Sequence, residues 1–90
     1  MAMYWVNYDL NRPGQNYDTL TAFLQSHAKW AKPLKSSYFV KSDSTAVKLL
    51  QDIRTLIDPN DTVVVVEVED QDWASVGLSA KLNQWLRSNL

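Results

Sequence analysis

Asp9 is the residue whose type and position best suit catalysis or metal binding. It closes the aromatic and β-branched run of residues 3–8 (MYWVNY), which predicts a strand, and precedes a Pro13–Gly14 turn signal. Functional residues are frequent where an element ends in a loop. The alternative is structural, because Asp9 could accept a hydrogen bond from the backbone of Asn11 in an Asx turn.

Few other side chains could carry chemistry. The chain has no cysteine, which excludes disulfides, thiolate metal sites and cysteine nucleophiles. Its one histidine, His27, excludes a zinc site of several histidines, and its place on an apolar helical stripe favours packing over general-base catalysis. Ser36 and Ser37 have no local histidine partner, and two glycines cannot form a phosphate-binding loop. Asp9 therefore remains the strongest candidate.

The charged residues divide into a basic and an acidic segment, although the formal net charge is only −1. Between residues 19 and 42 there are four lysines and no acid, whereas between residues 55 and 80 there are acids and no Lys or Arg. Lysines beside aromatic rings could bind nucleic-acid phosphates, or they could form a solvated strand surface. The acidic segment could discourage edge pairing or complement another copy's basic segment. The candidate nucleic-acid-binding residues are Arg12, Lys32, Lys35 and Lys41.

Hydrophobic periodicity predicts the order β-α-β-α-β-α. The predicted elements are a strand at 3–8, a helix capped by Asn16, an extended segment at 30–40, a helix capped within 42–44, a strand at 62–69 and a helix from Ser79. Pro33 interrupts the middle segment, which could hide a hairpin. We therefore predict a single α+β domain over residues 1–90: a ferredoxin-like antiparallel sheet with helices on one face and an additional C-terminal helix.

The run 62–69 (TVVVVEVE) carries valines on both faces, which predicts a central strand covered on both sides. Either the C-terminal helix or a second copy could supply the second cover, and we favour a second copy. Four Trp, four Tyr and two Phe are many rings for 90 residues, which also favours an interface. We predict a homodimer, with a tightly packed monomer as the alternative. The residues expected to contact another protein are Trp73, Trp85 and Leu86.

The order of motifs over residues 3–68 resembles the small CRISPR-associated ferredoxin-fold nuclease family, the compact subunit of the spacer-adaptation complex. The motifs are a first strand ending YDL at 8–10, a strand ending SYFV at 37–40, and a helix ending in LIDP at 56–59 before Asp61 and the valine strand. The segment YDLNRPGQNY at 8–17 and the closing Trp-containing helix are similar to those of bacterial SinR-like proteins. Virulence-associated D-type ribonuclease toxins have a similar shape.

This resemblance implies a homodimer in which Asp9 of two chains meets near the two-fold axis and holds a divalent metal, Mg²⁺. It implies a metal-dependent endonuclease acting on RNA or DNA, or a nucleic-acid-binding relative without catalysis. The chain departs from the family at KSSYF (35–39), where the family has Gln-x-Ser-Val-Phe, and beyond residue 68, where a helix replaces a fifth strand. The alternative function is a non-catalytic protein-interaction module, such as a toxin–antitoxin partner or an assembly subunit.

The N-terminal sequence predicts a cytoplasmic protein. Residues 1–5 lead directly into a strand pattern, with no basic segment before an apolar stretch. No apolar run approaches the roughly 20 residues that a membrane span requires, so no membrane partner is expected.

Overall fold

Four strands and three helices form the computed structural model, which describes residues 1–11 and 17–90. In chain order the elements are β1 (Ala2–Asp9), α1 (Asp18–Gln25), β2 (Trp30–Leu34), β3 (Ser37–Ser42), α2 (Ala46–Arg54), β4 (Thr62–Glu67) and α3 (Ala80–Asn89). Within the described ranges, no helix has the length and apolar character needed to cross a membrane.

The strands form one sheet in the order β2-β3-β1-β4, in which every neighbouring pair is antiparallel. Helix α1 connects β1 to β2, and α2 connects β3 to β4. The two strands of each pair are consecutive in the chain but are not neighbours in the sheet, which is the ferredoxin-like layout. The prediction of an α+β fold with an additional C-terminal helix is therefore confirmed. β1 lies in the interior of the sheet, so its final residue, Asp9, is held by the ladder to β4.

The main core lies between the sheet and helices α1 and α2. Because side chains alternate along a strand, Tyr4, Val6 and Tyr8 of β1 point to this face. Burial of each large apolar side chain contributes roughly 1.5–3 kcal/mol relative to its exposure. The buried members of the core are Tyr4, Val6, Leu20, Leu24, Tyr38, Val40, Leu49 and Ile53.

The helix starts agree only in part with the predicted caps. Helix α3 starts as predicted at Ser79 or its neighbour, and the Ser79 hydroxyl accepts the backbone N–H three residues on at 3.1 Å. The predicted cap of α2 within residues 42–44 is wrong, because Thr45 occupies that position and accepts an equivalent bond at 3.1 Å. Ser42 instead accepts the N–H of Ser44 at 3.0 Å in a local turn. The predicted cap of α1, Asn16, lies outside the described residues.

The extended segment at 30–40 is a hairpin, the alternative that Pro33 had left open. β2 and β3 pair antiparallel, and their register shifts between Ala31 and Leu34. Proline cannot donate to a ladder, so it is accommodated at an edge strand or an irregularity. Pro33 occupies both, because β2 is the outer strand on this side of the sheet.

The prediction that the valine strand is central is wrong. β4 pairs only with β1 and is the other edge of the sheet. Val63 and Val65 pack against the main core, whereas Val64 and Val66 on the opposite face are exposed. Apolar residues on both faces of a strand do not determine whether the strand lies in the centre or at the edge of the sheet.

Helix α3 covers one half of the second sheet face. Leu86 of α3 packs with Met3 of β1 and Phe39 of β3 in a second buried cluster. Trp5 joins this cluster and stacks on Phe39 with ring centroids 5.4 Å apart. The favoured cover for this half, a second copy, is therefore wrong, and the C-terminal helix supplies it. The half that contains Val64 is not covered by α3.

We expect the stability of the fold to decline in alkaline solution because of Tyr4. Burial, and then the negative charges of Glu67 and Glu69, raise the pKa of this phenol above its ordinary value of 10.0. The unfolded chain therefore loses the proton first, so stability is fully present below pH 10.0 and falls as pH rises through the folded-state pKa. Urea unfolding at several pH values should show this decline.

Tyr4→Phe isolates that contribution. The substitution keeps the ring but removes the hydroxyl that donates to the carbonyl oxygen of Ser44 at 2.6 Å. We expect a loss of about 1 kcal/mol at neutral pH and a shallower alkaline decline. Parallel stability curves for the two proteins from about pH 8 to about pH 11 would contradict the assignment to Tyr4.

Candidate functional site

Asp9 lies at the end of β1 with an exposed side chain, opposite Thr62 of β4. The alternation along β1 places Asp9 on the same face as Met3 and Trp5, beyond the part that α3 covers. Among residues 1–11 and 17–90, no group hydrogen-bonds to its carboxylate or forms an ion pair with it. The carboxylate is therefore accessible to a ligand.

The Asx-turn interpretation of Asp9 is wrong. The backbone N–H of Asn11, its expected donor, is bonded to Oδ1 of Asp61 at 2.8 Å. The Asn11 side chain is also engaged, because its Nδ2 donates to the carbonyl oxygen of Asn60 at 2.8 Å. Asn11 is thus held by the loop before β4, and its backbone N–H does not bond to Asp9.

Asp61 organises this end of the sheet, a role that the sequence analysis missed. In addition to Asn11, it binds the Tyr17 hydroxyl at 2.8 Å and the Asp58 backbone N–H at 2.9 Å, both through Oδ2. One carboxylate therefore joins the end of β1, the start of α1 and the loop between α2 and β4. The sequence signal for this role of Asp61 was the run Asp-Pro-Asn-Asp at 58–61, which is also typical of the end of a helix.

An apolar surface adjoins Asp9 on the uncovered half of the sheet. Asn7 is paired with Val64 across the β1–β4 ladder, so both point to this face. Val64 is 53% exposed, and Val66 is 42% exposed. We call Asn7, Val64 and Val66 the open face.

The donor set of one chain is too small for a complete metal site. The described residues contain no group of three or more His, Cys, Asp or Glu side chains able to hold an ion. Mg²⁺ usually binds through one or two protein carboxylates, substrate phosphates and its own waters. Asp9 supplies one such carboxylate, so its chemistry fits one of the protein ligands of a magnesium site.

Tyr8, beside Asp9, does not supply a general base. Its ring lies on the helix-covered face and stacks on Tyr38 with centroids 6.5 Å apart. Burial, and then the neighbouring Tyr38, raise the pKa of the Tyr8 phenol above 10.0. The Tyr8 phenol is therefore protonated near neutral pH.

His27 is a packed histidine, as its position on the apolar stripe predicted. Its ring makes an edge contact with Phe23 at 5.3 Å between centroids. Its Nδ1 lies 3.0 Å from the carbonyl oxygen of Leu24. These contacts fix the ring at the end of α1 and give it a structural role.

Two of the four predicted nucleic-acid-binding residues share one edge of the sheet. Lys32 lies on β2 with its Nζ 5.6 Å from the centroid of the Tyr38 ring. Lys35 lies in the β2–β3 turn, beside the end of β1. Lys41 is paired with Met3, which places it roughly 20 Å along β1 from Asp9. Arg12, the fourth residue, lies outside the described residues.

The predicted protein-binding residues belong mainly to the second cluster. Leu86 is 3% exposed, so it has little surface to offer a partner, whereas Trp73 and Trp85 are half-buried. A cavity of about 370 Å³ lies between this sheet face, α3 and residues 68–78. Its apolar lining includes Trp5, Phe39, Trp73, Leu78, Leu86 and Leu90, and its acidic lining residues are Glu69 and Asp72.

No protein-family model matches the chain, and no curated protein or solved structure matches it. The relation to CRISPR-associated nucleases therefore stays a resemblance in the order of motifs over residues 3–68.

Proposed function

We propose that this chain is a homodimeric nucleic-acid-binding protein of the CRISPR-associated ferredoxin-fold nuclease type, which cleaves RNA or DNA with Mg²⁺. One observation carries the proposal: the exposed Asp9 carboxylate has no partner among the described residues and lies beside the apolar open face. The ferredoxin-like strand order supports it, because the resemblance implies that fold.

A two-fold contact between open faces would bring the two Asp9 residues together. A two-fold interface uses the same surface on both chains, so Val64 and Val66 of each chain would lie in one shared apolar contact. Asp9 borders that surface on the same side of the sheet. Burial of the exposed valines supplies the driving force for association, and the symmetry supplies the second carboxylate.

The Asp9 pair would then be the functional unit. Two carboxylates at close range repel each other, so the pair favours a bound cation or a shared proton. When bound there, Mg²⁺ supplies charge neutralisation at a phosphate and a polarised water. Lys35, beside the same end of β1, would orient the phosphate backbone without reading its sequence.

Sedimentation at micromolar concentration tests the dimer. We expect about twice the chain mass of 10.3 kDa, together with cleavage of single-stranded RNA or DNA that EDTA abolishes and added Mg²⁺ restores. Val64→Lys should give a monomer without cleavage, because it places a charge in the shared apolar contact.

Val47→Lys is the matched control, since this valine is 66% exposed on α2, away from the open face. It should remain a dimer and cleave at the wild-type rate. A wild-type monomer, or a Val64→Lys variant that still forms dimers, would remove the shared site.

The cavity beside α3 supports a second candidate, a non-catalytic protein-interaction module of the toxin–antitoxin or assembly-subunit kind. Its apolar lining and the carboxylates of Glu69 and Asp72 suit a partner segment that carries apolar side chains and a cation. Such a module should show no salt-dependent affinity for oligonucleotides. Nucleic-acid binding that weakens steeply with salt would favour the first candidate over the second.

A further inference from the structure

Trp30 is the exposed tryptophan of this protein. All four tryptophans lie within the described residues; Trp5, Trp73 and Trp85 are half-buried, whereas Trp30 is 37% exposed on β2. Its ring contacts Tyr38 at 5.9 Å between centroids, with the ring planes tilted by 52°. One part of the indole is therefore held against the sheet, and the remainder faces solvent.

Lysines flank this indole along the same strand. Lys29 directly precedes β2, Lys32 lies two residues after Trp30, and Lys35 follows in the turn; all three are exposed. Within the part of the chain that the structure describes, no acid forms an ion pair with them. The strand itself carries no acidic residue, because none occurs between residues 19 and 42. We call Lys29, Trp30, Lys32 and Lys35 the β2 track.

The β2 track is suited to side-chain contacts rather than to strand addition. β2 is an edge strand, but Pro33 has no N–H to donate and the register is irregular beside it. Prolines, lysines and irregularities are devices that keep an edge from pairing with another strand. The turn that follows β2 lies beside the end of β1, because the backbone N–H of Tyr8 donates to the carbonyl oxygen of Ser36 at 3.0 Å. Trp30 and Lys32 contact Tyr38 on the helix-covered face of the sheet, which is opposite to the face of Asp9.

We infer that the β2 track binds single-stranded nucleic acid, with one base stacked on Trp30 and neighbouring phosphates on Lys29, Lys32 and Lys35. A base can stack on an exposed aromatic ring only where it is free of its own duplex, so the ligand is a single strand. The positive charge favours a polyanion over an apolar partner. The inference rests on the proposed function and names its substrate class.

The test measures binding separately from cleavage. Fluorescence anisotropy follows labelled oligouridine RNA and oligothymidine DNA of about 15 nucleotides, with the Asp9→Asn variant in EDTA as the parent protein. We expect Trp30→Leu to weaken binding about 10-fold or more, and Trp30→Phe to retain most of the affinity because a ring remains. Lys32→Ala should lower the log–log salt slope by about 0.7.

Lys81→Ala is the control for charge, because this exposed lysine lies on α3 and outside the β2 track; it should leave the slope unchanged. If Trp30→Leu does not fold, the Lys32→Ala slope decides. Tighter binding of RNA and tighter binding of DNA support the inference equally. The tighter ligand shows whether the protein prefers ribose or deoxyribose. It is overturned if the parent binds neither oligonucleotide, if the matching duplex binds as tightly, or if Trp30→Leu binds as tightly as the parent.

The two proposals fail separately. Oligonucleotide binding that depends on Trp30, in a wild-type protein without nuclease activity, would leave this inference standing and remove the proposed catalysis. Cleavage by the wild type, with no effect of Trp30→Leu on oligonucleotide binding, would leave the proposed catalysis standing and remove this inference.

Discussion

Asp9→Asn should abolish metal-dependent cleavage while leaving the fold unchanged. The amide keeps the shape of the side chain but removes the negative charge, so neither chain of the dimer can supply a carboxylate to Mg²⁺. We expect a fall of at least about 100-fold in the single-turnover rate, equivalent to about 2.7 kcal/mol of transition-state stabilisation. The assay compares rates on the same oligonucleotide with saturating Mg²⁺.

The stability of this variant separates chemistry from structure. Because no described group bonds to the Asp9 carboxylate, both Asp9→Asn and Asp9→Ala should unfold in urea within about 0.5 kcal/mol of the wild type. The metal-free dimer should be no weaker, since a pair of like charges is removed.

Asp43→Asn is the matched control, because this exposed carboxylate lies between β3 and α2, away from β1's final residue. It should cleave at the wild-type rate. An Asp9→Asn variant that is equally active would refute the nuclease proposal, and the interaction module would then be favoured.

Asp61→Ala should cause the largest loss of stability among the surface variants considered. Its carboxylate accepts hydrogen bonds from Asn11, Tyr17 and Asp58 at 2.8, 2.8 and 2.9 Å. Bonds to a charged group contribute about 1.5–3 kcal/mol each, but these three are partly exposed and share one acceptor group. We therefore expect a loss of about 2–4 kcal/mol in the free energy of unfolding.

Asp52→Ala is the matched control, because it also removes an aspartate carboxylate. The Asp52 carboxylate pairs with Lys48 at 2.7 Å on the exposed side of α2, and such a helical pair contributes about 0.3–0.5 kcal/mol. Asp61→Asn, which keeps one carbonyl oxygen, should lie between the two. Urea unfolding measures the free energy of unfolding of all three variants. An Asp61→Ala variant that is no less stable than Asp52→Ala would contradict the role of Asp61 in holding this end of the sheet together.

Local sequence patterns predicted most elements because they depend on local physics. Alternation at residues 3–8 identified β1, hydrophobic periodicity identified α2, and the expected start of α3 at Ser79 or its neighbour is confirmed. These features require only neighbouring residues along the chain. Thr45 was missed because several adjacent serines and threonines can all cap, and the final choice depends on where the preceding strand ends.

The candidate site was only partly predictable, because some of its contacts join residues that are distant in the sequence. Asp9 follows from its place at the end of a strand, but its freedom from the Asx turn depends on Asp61, which is distant in the sequence. Likewise, Lys32 and Lys41 belong to one basic segment, yet pairing within the sheet places Lys41 opposite Met3 and away from Asp9. Proximity in the sequence does not show at which end of the antiparallel sheet each residue lies.

The sequence by itself determined the fold class, the candidate carboxylate and the separation of charge, because composition and periodicity follow from each residue's own chemistry. Only the tertiary structure decided that β4 is an edge strand and that α3 covers the half of the second face around Met3. Valines on both sides of β4 are compatible with either position in a sheet. The order of strands depends on long-range packing, which joins residues that no local pattern relates, and that packing leaves the open face beside Asp9.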